Sequence, residues 1–432
     1  MIPPDHPQRL LLAEEVHARP PVALATPAGA TYLAIVVPPE RRHEELEHLG
    51  RLCEHYGLPP PPADARHFSA DLPALRCKWE RHGEFSGYTF FAEGAGRLPF
   101  GETPIGLLPA GWLAAVPGTT LFAAHATLLA AASEAEPALM EASFGSNIVV
   151  GAEIGGGRGL AFTDFRVHPD GFERFLLLDR DFTTQQAGRM VQRLFEIEAY
   201  RMLAMLALPL ARTVGTRIAA IEGALVTLTD DIARHSVNDE TLLQQLTRLA
   251  DEVEQSLASS QFRFGACRAY AELVARRIDE LRERRLPGIQ TIHEFMARRF
   301  TPAVATCEST AARLHQLSER VAQASALLST RVNIARERQN QQLLESMNRR
   351  ARQQLRLQQT VEALSVAAIV YYVAGLIGYL AKALHAAGVG VNPEMAVGVA
   401  IPLVAAAVWW LLRRVHRRIF HAARRGIPDD DA

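Results

Sequence analysis

The chain has 432 residues, with 46 Lys or Arg against 47 Asp or Glu and a formal net charge of −1. That length leaves room for two or three structural units, and the charge balance excludes a general field for nucleic acid or anionic lipid. The four cysteines, Cys53, Cys77, Cys267 and Cys307, lack metal-type spacing and read as small buried residues of a reducing compartment.

Residues 1–180 read as a cytoplasmic α+β domain. Residues 31–37 (TYLAIVV) form a β-branched run ending at Pro38-Pro39, as a buried strand does. Residues 40–56 are rich in Glu, Arg and Leu and predict an amphipathic helix stopped by Gly57. Residues 75–92 hold Trp79, Phe85, Tyr88, Phe90 and Phe91 with breaks at Gly83 and Gly87, which predicts a strand pair. Strands are expected at residues 147–154 and 160–167, around Gly155-Gly156-Gly157. Another follows the turn signal Pro169-Asp170-Gly171, at residues 172–178. The expectation is a mostly antiparallel sheet with helices on one side.

Residues 181–360 predict long antiparallel and coiled-coil helices. Thr183 to Gln186 carries capping-box chemistry, opening a helix that could reach residue 234. Residues 202–211 are apolar but too short to span a bilayer, and read as a buried segment kinked at Pro209. Further helices are expected at residues 239–260 and 267–285. A last one begins near Ile289, with a kink at Pro302. In it Leu314, Val321, Leu328 and Ala335 recur every seven residues, with Leu317 and Ala324 three later, as in a coiled-coil seam. No breaker follows before the chain turns fully apolar.

Residues 363–381 and 396–412 contain no charged side chain. A helix needs about 20 apolar residues to cross a bilayer core. The pattern predicts a C-terminal two-helix transmembrane hairpin: first helix 361–384, outer loop 385–395, second helix 396–414, basic tail 415–432. Arg349, Arg350, Arg352 and Arg356 precede the first helix, and Arg413, Arg414, Arg417, Arg418, Arg424 and Arg425 follow the second. Positive charge stays inside, so both termini are expected in the cytoplasm of a bacterial cell, with a multi-pass protein in its inner membrane. The N-terminus shows no basic segment followed by an apolar one, and the hairpin is the expected insertion signal.

Few motifs point to chemistry. His43 and His48 are five apart rather than the four of a zinc-protease helix, and fit a solvated face. Gly155 to Gly159 lacks the Lys-Ser/Thr of a phosphate loop and fits a turn. The segment from Glu15 to Pro21 suits a tether or a binding segment. His67 to Asp71 and Trp79 to Ser86 hold His, Ser and Asp without a unifying spacing. No catalytic, cofactor or metal site is assigned.

The first apolar helix is two-sided. Ser365, Ala368, Tyr372, Gly375, Tyr379 and Lys382 share one face at spacings of three and four, while Val366, Val370, Val373, Ile377, Leu380 and Leu384 form the opposite one. Such a polar face must pack on another helix or line a pore.

The segments 14–21, 67–72, 79–91 and 361–372 resemble a family of uncharacterised bacterial predicted membrane proteins, a domain of unknown function. The layout also resembles CorA-type metal-ion transporters. Locally, Asn340-Gln341-Gln342-Leu343-Leu344 lies before the span and Asn392-Pro393-Glu394 in the loop. The Gly-Met-Asn signature of those transporters is absent, Gly378-Tyr379-Leu380 being the nearest triplet. The second resemblance implies a homo-oligomer in the lipid bilayer that passes or senses an ion or small solute, with Asn392, Pro393 and Glu394 at the outer mouth. The alternative expectation is a membrane-tethered scaffold without transport.

Overall fold

The computed structural model describes residues 3–10, 21–94, 99–131, 136–234, 237–388, 390 and 392–423. Two compact units divide the chain after Leu328.

The first unit is organised on one sheet. In chain order its elements begin with β1 (Ala28–Val36), a 3-10 turn at Pro39–Arg41 leading into α1 (Arg42–His55), β2 (His67–Asp71), β3 (Arg76–Arg81) and β4 (Ser86–Glu93). Then come β5 (Thr119–Ala130), α2 (Glu136–Phe144), β6 (Val150–Ile154), β7 (Gly159–Thr163) and β8 (Glu173–Asp179). With the short β9 (Arg284–Arg285) the nine strands lie in the order β2-β3-β4-β1-β5-β8-β7-β6-β9. Strand pairs are antiparallel except β5 with β8, so the sheet is mixed. The aromatic hairpin at 75–92 and the strands at 31–37 and 172–178 form where the sequence predicts them, while the strand predicted at 147–154 begins only at Val150 and the one at 160–167 ends at Thr163.

The central strand β5 carries no such signal. Its sequence, TTLFAAHATLLA, is rich in alanine and leucine, which suits a helix as well. Its place decides the matter, because β1 and β8 take up both of its edges and all but its ends are buried. Alternate residues Phe122, Ala124, Ala126 and Leu128 enter one core.

The expectation of helices on one side needs correction. Leu49, Leu52 and Cys53 of α1 pack with Leu33, Ile35, Trp79 and Phe90 on one face, while Tyr32, Ala34, Phe91 and Phe175 belong to the core beneath the later helices. Residues 31–37 are apolar without alternation because both faces are covered.

Those later helices are α3 (Thr184–Met205), α4 (Ala207–Arg234), α5 (Asp239–Leu281), α6 (Ile292–Arg299) and α7 (Thr301–Ala386). Thr183 caps α3 with the predicted capping box, and Thr291 with Glu294 caps α6 in the same way. The two helices expected at 239–260 and 267–285 are one element of 43 residues. Gly265 between them was not enough to break a helix held by packing on both sides. At Pro209 and Pro302 the helical path is interrupted for one residue only, Leu206 or Phe300, both in the αR conformation, so each proline marks a break within a longer helical run, as predicted. Apolar stripes of α4 (Val214, Ile218, Ile221, Leu225), α5 (Leu242, Leu246, Val253) and α7 (Leu314, Leu317, Val321, Leu328) meet in one core. The predicted seam of α7 holds as far as Leu328, and Ala335 beyond it is exposed.

The second unit contains the rest of α7 and α8 (Pro393–Ala423). Three helical segments are long and apolar enough to cross a membrane by length and composition: Thr184–Arg234, Ile292–Ala386 and Pro393–Leu411. The first has 33% of its apolar window buried in the protein, against 6% and 0% for the others. Leu203, Ala204, Ala207 and Ala211, core residues of the first unit, contribute to it. The apolar surface of the other two has no such cover.

Candidate functional site

In the second unit α7 and α8 pack side by side in opposite directions. A Cβ placed on Gly378 would lie 2.9 Å from Val397 Cγ2, and Ala374, Ala381 and Ala400 are buried at 6%, 3% and 9% exposure. The contact shown is one of side chains, with Val397 seated over Gly378. The contact therefore runs along Val366, Val370, Ala374, Gly378 and Ala381, one flank of α7, and the predicted polar stripe lies beside it.

That stripe stays uncovered. Tyr372 is 71% exposed and Tyr379 75%, and Ser365, Ala368, Gly375 and Lys382 are exposed as well. The Ser365 hydroxyl donates to the Val361 carbonyl within its own helix, at 2.9 Å. Tyr372, Gly375, Tyr379 and Lys382 form one wall of an open cleft of about 840 Å³, with Pro393, Glu394, Val397 and Ile401 of α8 opposite. The structure thus brings together four residues of the stripe with two of the loop, and leaves Ser365, Ala368 and Asn392 out. Asn392 caps α8, its side-chain oxygen accepting from the Glu394 N–H at 3.1 Å. Tyr371, Gly378 and Ile401 also line the cleft and were missed. The spacing of Ala374, Gly378 and Ala381 was the available signal, since it marks where α8 lies.

A second concentration of ionisable groups is buried in the first unit. Glu173 opens β8 and is 3% exposed; Glu198 of α3 is fully buried. Arg201, one turn along α3, forks onto Glu198 with contacts of 2.5 to 2.9 Å and stands 3.7 Å from Glu173. Burial first, and the neighbouring Glu198 carboxylate second, push the Glu173 carboxyl up to about 9. Asp164, which accepts from Asn147 Nδ2 at 2.7 Å and lies 3.0 Å from His168, adds to that field. One guanidinium cannot hold two buried carboxylates ionised, so Glu173 keeps its proton at neutral pH. No sequence spacing announces this pair, because β8 and α3 meet only in the fold.

A family model described as Protein of unknown function (DUF3422) matches residues 4–419. The chain belongs to that family. No curated protein and no solved structure matches it, and a likeness to CorA-type transporters is not shown.

The remaining motifs have structural roles in the fold. Trp79 Nε1, Tyr88 Oη and Arg81 Nη2 all donate to the fully buried Glu45 carboxylate, at 3.0, 2.9 and 3.2 Å. His48 stacks on Trp112 with ring centroids 4.4 Å apart, whereas His43 is exposed. Gly155, Gly156 and Gly157 all take positive φ in the β6–β7 turn. Glu84 pairs with Arg263 at 2.6 Å, fastening the β3–β4 hairpin to α5. Residues 15–20 and 424–432 lie outside the described residues.

Proposed function

We propose that this is a homo-oligomeric integral protein of a bacterial inner membrane that passes or responds to an ion or small solute. In this reading α7 and α8 cross the bilayer as a hairpin, with both termini in the cytoplasm and residues 385–395 outside. The observation that carries it is the uncovered stripe. Tyr372 lies midway along the charge-free run, remote from either interface, and is 71% exposed while the alanines beside it are buried against α8. A hydroxyl in hydrocarbon needs a partner, and among the described residues none bonds Tyr372 or Tyr379, whereas Ser365 is satisfied within its own helix. Further copies would supply one, and a ring of them would set Tyr372, Tyr379 and Lys382 along its axis with Glu394 near the mouth. The cytoplasmic part of α7 supports self-association, since Leu344, Met347 and Leu355 are 61%, 65% and 60% exposed. The arginines flanking the hairpin support the orientation.

Two measurements test the reading. The mass of the detergent-solubilised protein should be several times that of one chain. Proteoliposomes should show ion flux that Tyr372→Leu and Glu394→Gln change. A monomer, or absence of flux for every ion tried in wild type and both variants alike, refutes it. The monomer would instead favour a membrane-anchored scaffold.

A further inference from the structure

A polar cavity of about 240 Å³ lies in the first unit between the sheet and the helices α3 and α5. It owes its floor to strand alternation. On β3, Cys77 and Trp79 point into the core under α1, so Lys78 and Glu80 point the other way. Cross-strand pairing sets Tyr32 of β1, Thr89 of β4 and Lys78 of β3 in one row, with Gly87 and Glu80 in the next. A Cβ on Gly87 would come within 2.8 Å of Tyr32 Oη, so glycine is what admits the tyrosine head to this floor. The roof comes from one face of α3, through Gln192, Phe195, Glu196 and Tyr200, and from Arg277 of α5.

The four formal charges in these walls fall into two pairs, and His82 also lines the cavity. Lys78 Nζ stands 3.1 Å from Glu80 Oε1, their side chains 8% and 11% exposed. Above them Arg277 bonds Glu196, whose other oxygen accepts from Gln192 Nε2 at 2.7 Å, and Arg277 also reaches Glu280 at 3.0 Å. Burial pushes the hydroxyls of Tyr32 and Tyr200 upward, so both remain donors. A buried ion pair stabilises a fold little compared with apolar packing of the same volume. Here the buried Lys78–Glu80 pair and the partly exposed Arg277–Glu196 pair face one cavity, an arrangement better explained by something they bind.

We propose that this cavity binds a small zwitterion of the free α-amino-acid class. The volume suits about eight heavy atoms at about 30 Å³ each, the size of a small amino acid. A simple anion would meet Glu80 and Glu196, and a simple cation would meet Lys78 and Arg277. A neutral polyol would have no use for four formal charges. A molecule with a carboxylate and an ammonium group satisfies both kinds of wall, the carboxylate on Lys78 and Arg277 and the ammonium on Glu80 and Glu196. Phe91, Phe195 and the ring of Tyr200 offer apolar surface to its side chain. This site is independent of the transport reading and would give the cytoplasmic unit a ligand to sense.

The test uses the full-length protein in detergent, with each proteinogenic L-amino acid added singly at about 10 mM, a level that reveals millimolar binding. Thermal unfolding serves as the screen and calorimetric titration follows for any that shifts it. At least one amino acid should raise the unfolding temperature and bind saturably. Its N-acetyl and carboxamide derivatives, each lacking one charge, should bind at least about tenfold more weakly. The double variant Lys78→Met/Glu80→Gln removes both partners of the floor pair, leaving no orphan charge, and should lose binding to a similar degree. The proposal is overturned if no amino acid binds, if only a polyol or inorganic phosphate does, or if blocked derivatives bind as well as their parent. The derivative comparison needs only wild-type protein, so it decides even if the double variant fails to fold.

Discussion

Replacing Glu173 with glutamine should remove a pH-dependent weakness of the first unit. In the folded protein the Glu173 carboxyl, 3% exposed and beside Glu198, titrates at about 9, whereas its ordinary value is 4.5. The folded state therefore holds a proton that the unfolded chain releases once the pH passes that ordinary value. Stability is greatest below about pH 4.5 and falls as the pH rises towards 9, where the folded state loses the proton too. Each pH unit in that window is worth about 1.4 kcal/mol for a fully buried group. Between about pH 5 and pH 7 the wild type should lose about 2–3 kcal/mol relative to Glu173→Gln, whose amide copies the neutral acid and can still donate to Glu198. Unfolding temperatures of the two full-length proteins in detergent, compared across that range, isolate the effect because other titrating groups are common to both. The variant should match or trail the wild type at pH 5 and overtake it by pH 7. A difference that does not change with pH would show that Glu173 is ionised in the fold, and would refute the account of a protonated Glu173.

Other outcomes follow from close contacts. Glu45→Ala leaves the Trp79, Tyr88 and Arg81 donors without their acceptor and should cost about 3 kcal/mol or more, read by chemical unfolding. Gly188→Ala sets a Cβ 1.7 Å from the Val22 carbonyl oxygen and should abolish soluble folding of the first unit. Gly223→Ala, with open space at its Cβ, should stabilise α4 by about 0.5–1 kcal/mol. Gly378→Leu should splay the α7–α8 hairpin. Cysteines at Ala374 and Ile401 should crosslink in its absence and fail to do so in its presence.

The turn-bounded strands, the capping box at Thr183 and the charge-free runs were legible because each depends on neighbours in sequence. The stripe from Ser365 to Lys382 was legible for the same reason, since helical spacing alone puts those residues on one face. The break near Pro302 was legible too, because a proline removes an N–H from a helical run wherever it falls. The strand β5 was not legible, because an alanine-leucine run becomes a strand only when two partners claim its edges.

The sequence by itself determined the periodicities: which residues share a strand face or a helix face, and where two runs lack charge. Tertiary structure alone decided which faces meet. It buried the apolar run at 202–211 in the first unit, turned the small-residue flank of α7 rather than its polar stripe against α8, and joined Glu173 to Glu198 and Lys78 to the roof of Arg277. The reason is physical. Burial, ion pairing and protonation depend on distances between elements far apart in the chain, and periodicity carries no information about those distances.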